Sequence, residues 1–322
     1  MNRTFVLAPI AVLLSVAAAV LLNFPQPSPN VQVAASAIVS ATPTVVETAT
    51  PTPTPTLTNT PTATPTATPT FTPTATRTRV PTAAATATPS QRTIRVPILM
   101  YHYISVPPPD ADKYRLDLSV TPAAFQTQME YLAINGYHPI RLIDLVDYLL
   151  HGTPLPDKPI VLTFDDGYSD NYANAFPVLK QHNFPATFFV ISQFVEENRW
   201  GYASWAQLDE MVKAGMEIGS HTRTHPDLYR RTLAFQTNEI AGSKLLIEER
   251  LGTPVLSFSY PSSRYDATTK SVLRSAGYLG AVTETQGTRQ SSEKLFELQR
   301  IRIRGSHTIP DFARWIKWFM EN

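Results

Sequence analysis

From residue 92 to the end, the sequence predicts an α/β domain whose strands close into a barrel, and three observations predict it. Short apolar runs rich in β-formers recur: "RVPILMY", "PIVLTF", "ATFFVI", "MEIGS", "VLSFSY", "LGAVT" and "RIRI". They are apolar throughout rather than alternating, which marks strands buried on both faces, as a parallel sheet with helical crossovers requires. Stretches with helical spacing separate most of them. Third, unusual polar side chains stand just after the runs: His102, the pair Asp165 and Asp166, His221, and Tyr260-Pro261. Chemistry spread over several strand ends is how a barrel builds a site, whereas an open sheet gathers it at one switch point.

The helical segments carry their own punctuation. In "TPAAFQTQMEYLAINGY", Thr121 is placed to cap, Pro122 suits the first helical position, Phe125, Met129 and Leu132 share a face, and Gly136 is a stop. "SWAQLDEMVKAG" repeats the scheme, with Ser204 as cap, Trp205, Leu208 and Val212 on one face and Gly215 as terminator.

Two segments precede this domain. Residues 1–25 hold Arg3 followed by an apolar run from Phe5 to Leu22, the layout of an export signal or a retained membrane anchor. Residues 26–91 are dominated by a Pro/Thr tract with almost nothing to bury, expected to be disordered and extended, a stalk or tether reaching on the order of 150 Å. The protein is thus expected to be exported, extracellular or on the cell surface, and held to a membrane if the apolar run is uncleaved. A formal charge of +1 with no dense Lys/Arg run gives no electrostatic reason for a nucleic-acid partner. The chain has no cysteine, which excludes disulfides and thiolate metal sites. A monomer is expected.

Alone, "DDG" describes many solvated turns. Together with "SHTRTH", which places His221 and His225 four apart after another strand, it offers imidazole and carboxylate, a ligand set suited to zinc or a related divalent ion. Thr222 stands where the helical HExxH motif has Glu, and Pro226 pushes His225 out of helical geometry, so these histidines are expected on a loop.

"TFDDGY" with "SHTRTH", preceded by "PILMYHYI", resembles the polysaccharide deacetylase (NodB-homology) family, carbohydrate esterase family 4, in the branch that opens with an LMYH motif. The resemblance covers essentially all of residues 95–322 and implies a distorted (β/α)7 barrel that removes N-acetyl groups from an amino-sugar polymer. It implies Asp165 as general base and Asp166, His221 and His225 as ligands of a divalent metal, foremost zinc, with cobalt, nickel or manganese as alternatives. The metal would acidify water and polarise the acetamide carbonyl. The resemblance also implies an acid for the departing amine, and "ILMYHYI" assigns it to His102 over the late candidate His307. At the third motif the chain departs from the family. "FSYPSSRYD" supplies Tyr260, Pro261 and Ser262 for the oxyanion and substrate, with the Ser262 N–H as donor. Ser259 stands where an arginine would orient the base, which leaves Arg300 or Arg302 to do so. Poly-N-acetylglucosamine, peptidoglycan and chitin all remain open as substrates. So do O-acetyl groups of xylan-type polymers, or a silent carbohydrate-binding module.

Overall fold

The computed structural model describes residues 91–321. The N-terminal apolar run and the Pro/Thr tract lie outside the described residues. Among the described residues, eight parallel strands form one sheet: β1 (Ile98–Tyr101), β2 (His138–Ile140), β3 (Pro159–Phe164), β4 (Thr187–Val190), β5 (Glu217–Ser220), β6 (Ser257–Ser259), β7 (Gly280–Gln286) and β8 (Leu298–Arg302). From β1 the order runs through β8, β7, β6, β5 and β4 to β3, which pairs back with β1 in the register Leu99↔Leu162 and Tyr101↔Phe164. The sheet is therefore a closed barrel.

Seven strands make the ring, and β2, absent from the expected set, is the eighth. Val161 pairs with Ile98 of β1 on one edge and Ile140 of β2 on the other. Two residues higher, Thr163 pairs with Met100 of β1 and Thr187 of β4. So β2 wedges into the lower half of the edge that β4 occupies above, and this is the distortion in the barrel. "HPI" gives no strand signal in sequence because it is three residues long and its central proline lacks a ladder donor.

Alternation divides the strand side chains. Leu99, Leu162, Phe188 and Ala281 pack outward with helices, including α1 (Pro122–Ile134), α3 (Phe176–His182), α4 (Trp205–Lys213) and α5 (Leu233–Leu251). Ile98, Val161, Phe189, Val282 and Leu298 gather instead with Leu145, Val146 and Leu149 of α2 (Leu142–His151), which closes the floor of the barrel. Gly280 permits this approach, since a Cβ there would lie 2.6 Å from a Val146 methyl. The expected caps are present: Thr121 accepts from the Ala124 N–H at 3.2 Å, and Ser204 forms a capping box with Gln207. On α4 the buried face is Leu208 and Met211, with Trp205 and Val212 only partly covered. No helix among the described residues is long and apolar enough to cross a membrane.

Candidate active site and metal centre

The mouth of the barrel, at the carboxyl ends of its strands, is built first around Asp165, which directly follows β3 and donates its N–H to the Tyr101 carbonyl at 3.0 Å. Arg300 of β8, fully buried, grips the Asp165 carboxylate with both terminal nitrogens, Nη1 to Oδ1 and Nη2 to Oδ2, each at 2.8 Å. Its other three N–H groups reach the Thr283 carbonyl, the Thr163 hydroxyl and the Ser259 hydroxyl at 2.9, 3.3 and 3.2 Å. All five guanidinium donors are thereby spent, which fixes the fork in one orientation. Ser259 also donates to Asp165 Oδ2 at 3.3 Å, so the residue standing in the expected arginine position still touches the base. Burial works against a charge on Asp165, yet Arg300 holds its carboxyl far below the usual carboxylate range.

Asp166 turns the chain the other way. It takes a left-handed conformation with φ of 74°, followed by Gly167 at 77°, and this reversal points adjacent carboxylates at different neighbours. Asp166 Oδ1 lies 3.4 Å from Nε2 of both His221 and His225, and one ligand atom from each of the three residues falls within 4.8 Å of the others. His221 Nδ1 sits 2.7 Å from the Ser259 carbonyl. A carbonyl only accepts, so Nδ1 carries a proton and Nε2 is the nitrogen that faces Asp166. That second hydrogen bond is the usual orienting contact of a metal-bound imidazole. Two imidazole nitrogens and one carboxylate oxygen on converging vectors fit a divalent cation of the zinc type.

The charge states show how these groups compete for one site. Burial opposes the Asp166 charge, but His221 and His102 pull the carboxyl down to about 2. Burial, with His221 beside it, pushes His225 down to about 4, while Asp166 and Asp165 overcome burial and raise His221.

As expected, both histidines lie on the loop that follows β5. Thr222 and His225 have φ of 68° and 63°, a costly conformation for β-branched Thr222. Glu239 of α5 holds it: its carboxylate accepts from the Arg223 N–H, the Thr224 N–H and the Thr224 hydroxyl at 3.0, 2.9 and 3.0 Å. Ser243, one turn on, donates to the Thr222 carbonyl at 3.1 Å. Sequence reasoning missed Glu239, an acidic residue at helical spacing from Ser243 and Ile247, which the fold buries with them.

His102, just past β1, is buried beside the two carboxylates. Burial pushes its imidazole down, with Asp165 and Asp166 resisting. Its carbonyl accepts from buried Asn171 at 2.7 Å, and its Nδ1 has no hydrogen-bond partner among the described residues. The late candidate His307 is held elsewhere, stacked near Trp315 with Nδ1 accepting from the Arg304 N–H at 3.3 Å. Arg302, offered with Arg300 as a base-orienting residue, does not serve there; it pairs with Glu284 at 2.8 Å and Asp117 at 3.8 Å. Tyr260 turns its ring into the core, stacked on Tyr265 with its hydroxyl donating to the Phe296 carbonyl at 2.9 Å, so only its backbone faces the site turn. Pro261 and Ser262 form that turn, and Ser262 takes φ of 49°.

A family profile for polysaccharide deacetylases matches residues 152–281, a span that holds Asp165, Asp166, His221 and His225 but neither His102 nor Arg300. YxkH of Bacillus subtilis, named as a polysaccharide deacetylase, is 30% identical over 228 residues, which cover 71% of this chain and 78% of that protein. The poly-beta-1,6-N-acetyl-D-glucosamine N-deacetylase of Escherichia coli K12 is 32% identical over 119 residues, covering 33% of this chain and only 18% of that enzyme. Among solved structures, the Streptococcus pyogenes deacetylase PplD in complex with acetate is similar with a TM-score of 0.65 at 30% identity, covering 70% of this chain and 99% of that one.

Proposed function

The chain belongs to the polysaccharide deacetylase family, and on that premise we propose that it hydrolyses N-acetyl groups on an amino-sugar polysaccharide outside the cytoplasm, releasing acetate with the help of a divalent metal. The observation that carries this reading is the division of labour between neighbouring carboxylates. Asp165 is clamped by Arg300, and Asp166 is left to two histidine nitrogens. Asp166, His221 and His225 would hold the metal, which when bound supplies an acidified water and polarises the acetamide carbonyl.

Each protein group then has a task set by its surroundings. Arg300 keeps Asp165 ionised and aimed, but a carboxylate held so low is a weak base, so Asp165 takes a proton only from a water much more acidic than bulk. The turn at Ser262 offers a backbone N–H to the developing oxyanion. His102, when charged, is a strong donor because burial disfavours its cation, and it delivers a proton to the departing amine. For the substrate, the Escherichia coli relative's name supports poly-β-1,6-N-acetylglucosamine. The apolar run and Pro/Thr tract support an exported domain on a stalk.

The test is acetate release from poly-N-acetylglucosamine, peptidoglycan, chitin and acetylated xylan, with and without chelator, alongside metal content. His221→Ala is expected to lose metal and turnover together, whereas Asp165→Asn keeps metal and loses turnover. Equal metal content in wild type and His221→Ala would overturn the site.

A further inference from the structure

A cavity of about 630 Å³ at the mouth opens beside the proposed catalytic groups and not over them. Its wall starts at Tyr103, next to His102, and Tyr168, two residues past Asp166, whose rings stack with centroids 3.8 Å apart. Tyr202 continues the wall, 5.2 Å from Tyr168. Trp200, 96% exposed, stands at the rim.

The loop that bears Trp200 is fixed to the catalytic segment by backbone. Ser169 donates its N–H to the Gly201 carbonyl at 2.9 Å, Ala203 donates to the Gly167 carbonyl at 2.9 Å, and Tyr168 pairs with Tyr202. Trp200 is therefore held at a set distance from Asp166 even though its side chain contacts solvent. Along the same cavity, Asp170 accepts from the Ser105 hydroxyl at 2.6 Å, placing a carboxylate and a hydroxyl beside the aromatic faces. A lone exposed apolar residue is ordinary on a protein surface. A Trp on the rim of an aromatic-walled cavity that continues from a catalytic centre calls for a ligand.

We propose that this cavity is a subsite for a sugar unit next to the one being deacetylated, with Trp200 as its stacking platform. The proposal rests on the polymer reading given above. A β-linked pyranose with equatorial substituents shows apolar C–H faces and a polar edge. The C–H faces suit the negative face of indole, and the edge suits Asp170 and Ser105. The cavity volume also lies within the range of about 300–1,000 Å³ usual for small-ligand sites.

The test uses the full-length metal-loaded protein in an Asp165→Asn background, so that acetylated ligand is not consumed, with and without Trp200→Ala. Calorimetry measures binding of fully acetylated β-1,6-linked glucosamine oligomers from dimer to hexamer. Affinity should rise with length when Trp200 is present, and Trp200→Ala should weaken the longer oligomers about 5-fold to 10-fold, the scale of one aromatic stack, with Trp200→Phe recovering part of it. Equal length dependence in both proteins overturns the subsite and leaves the catalytic reading standing. No binding at any length by the protein that retains Trp200 overturns both. If Trp200→Ala leaves oligomer affinity intact but abolishes binding to vesicles of equal parts phosphatidylglycerol and phosphatidylethanolamine, the indole serves a lipid surface and the subsite is wrong.

Discussion

The floor and the mouth of this barrel each enclose carboxylates, and they treat them differently. At the floor, Glu217 of β5 accepts from Ser257 at 2.6 Å, from Thr187 at 2.8 Å and from the Ile143 N–H at the start of α2 at 3.1 Å. The three donors are neutral, burial outweighs them and the more distant Arg141 charge, and the carboxyl is pushed above its usual value. At the mouth, Asp165 is more completely buried than half-buried Glu217 yet meets a full guanidinium, and its carboxyl falls far below the usual range. The backbone differs in the same sense. Of the nine left-handed residues other than glycine among the described residues, Asp166, Thr222, His225, Ser262 and Ser263 stand at the mouth, whereas Lys158 and Asn183 precede strands at the floor. The floor ties a helix to strands, while the mouth aims charges at a point in space and holds strain to do so.

If that contrast is right, changes at the mouth alter chemistry and changes at the floor alter only stability. The largest effect is expected at His102. Protonating a departing amine matters far more for an amide than for a leaving group already stable as an anion. His102→Ala should therefore lose about 10²–10⁴-fold on N-acetylglucosamine oligomers, much less on an activated aryl acetate, with metal content unchanged. His307→Ala should be nearly silent on both substrates. The reverse pattern would move the acid to the late histidine.

Arg300→Lys comes next. An ammonium cannot span both Asp165 oxygens and Ser259 together, and misplacing a catalytic group by about 1 Å costs roughly 10²-fold. Steady-state kcat should fall by that order while bound metal, measured by elemental analysis, stays. Retained turnover would show that the clamp is structural only.

Glu239→Gln sharpens the contrast within the mouth, because Glu239 touches the ligand loop and none of the proposed ligands. Losing one acceptor for Arg223 and Thr224 should loosen the loop and weaken metal affinity about 10–100-fold, as supporting residues of metal sites do. Competition with a chromogenic chelator reads this directly. An unchanged affinity would mean that the loop holds its shape without α5.

The smallest effect belongs to the floor. Glu217 has a folded-state pKa above its unfolded value, so its contribution to stability is fully present below the unfolded pKa, about 4.3, and is lost as pH rises through the folded value. Glu217→Gln removes that titration. Its Tm relative to wild type should therefore climb as pH rises from below 4.3 towards neutrality, with turnover on polymer unchanged. A flat Tm difference, or a loss of turnover, would break the division between floor and mouth.

Much of this was determined by local sequence, because local physics suffices for it. The apolar runs that mark seven of the strands are buried on both faces, although β8 also carries Arg300 and Arg302; Thr121 and Ser204 cap their helices through contacts within three residues. The Asp-Asp pair and the two histidines were legible for the same reason, since each motif follows one strand end within a few positions. The partner of Asp165 was not legible. Arg300 lies 135 residues away, and Arg302, two positions on and on the same face by alternation, was an equal candidate. Only the closure of β8 between β7 and β1 sets the depth of each side chain. That register buries Arg300 against Asp165 and carries Arg302 to Glu284 and Asp117. The wedge of β2 and the grip of Glu239 on the histidine loop are of the same kind. Each depends on which distant backbone groups meet once the ring is shut, and periodicity along one chain holds no record of that.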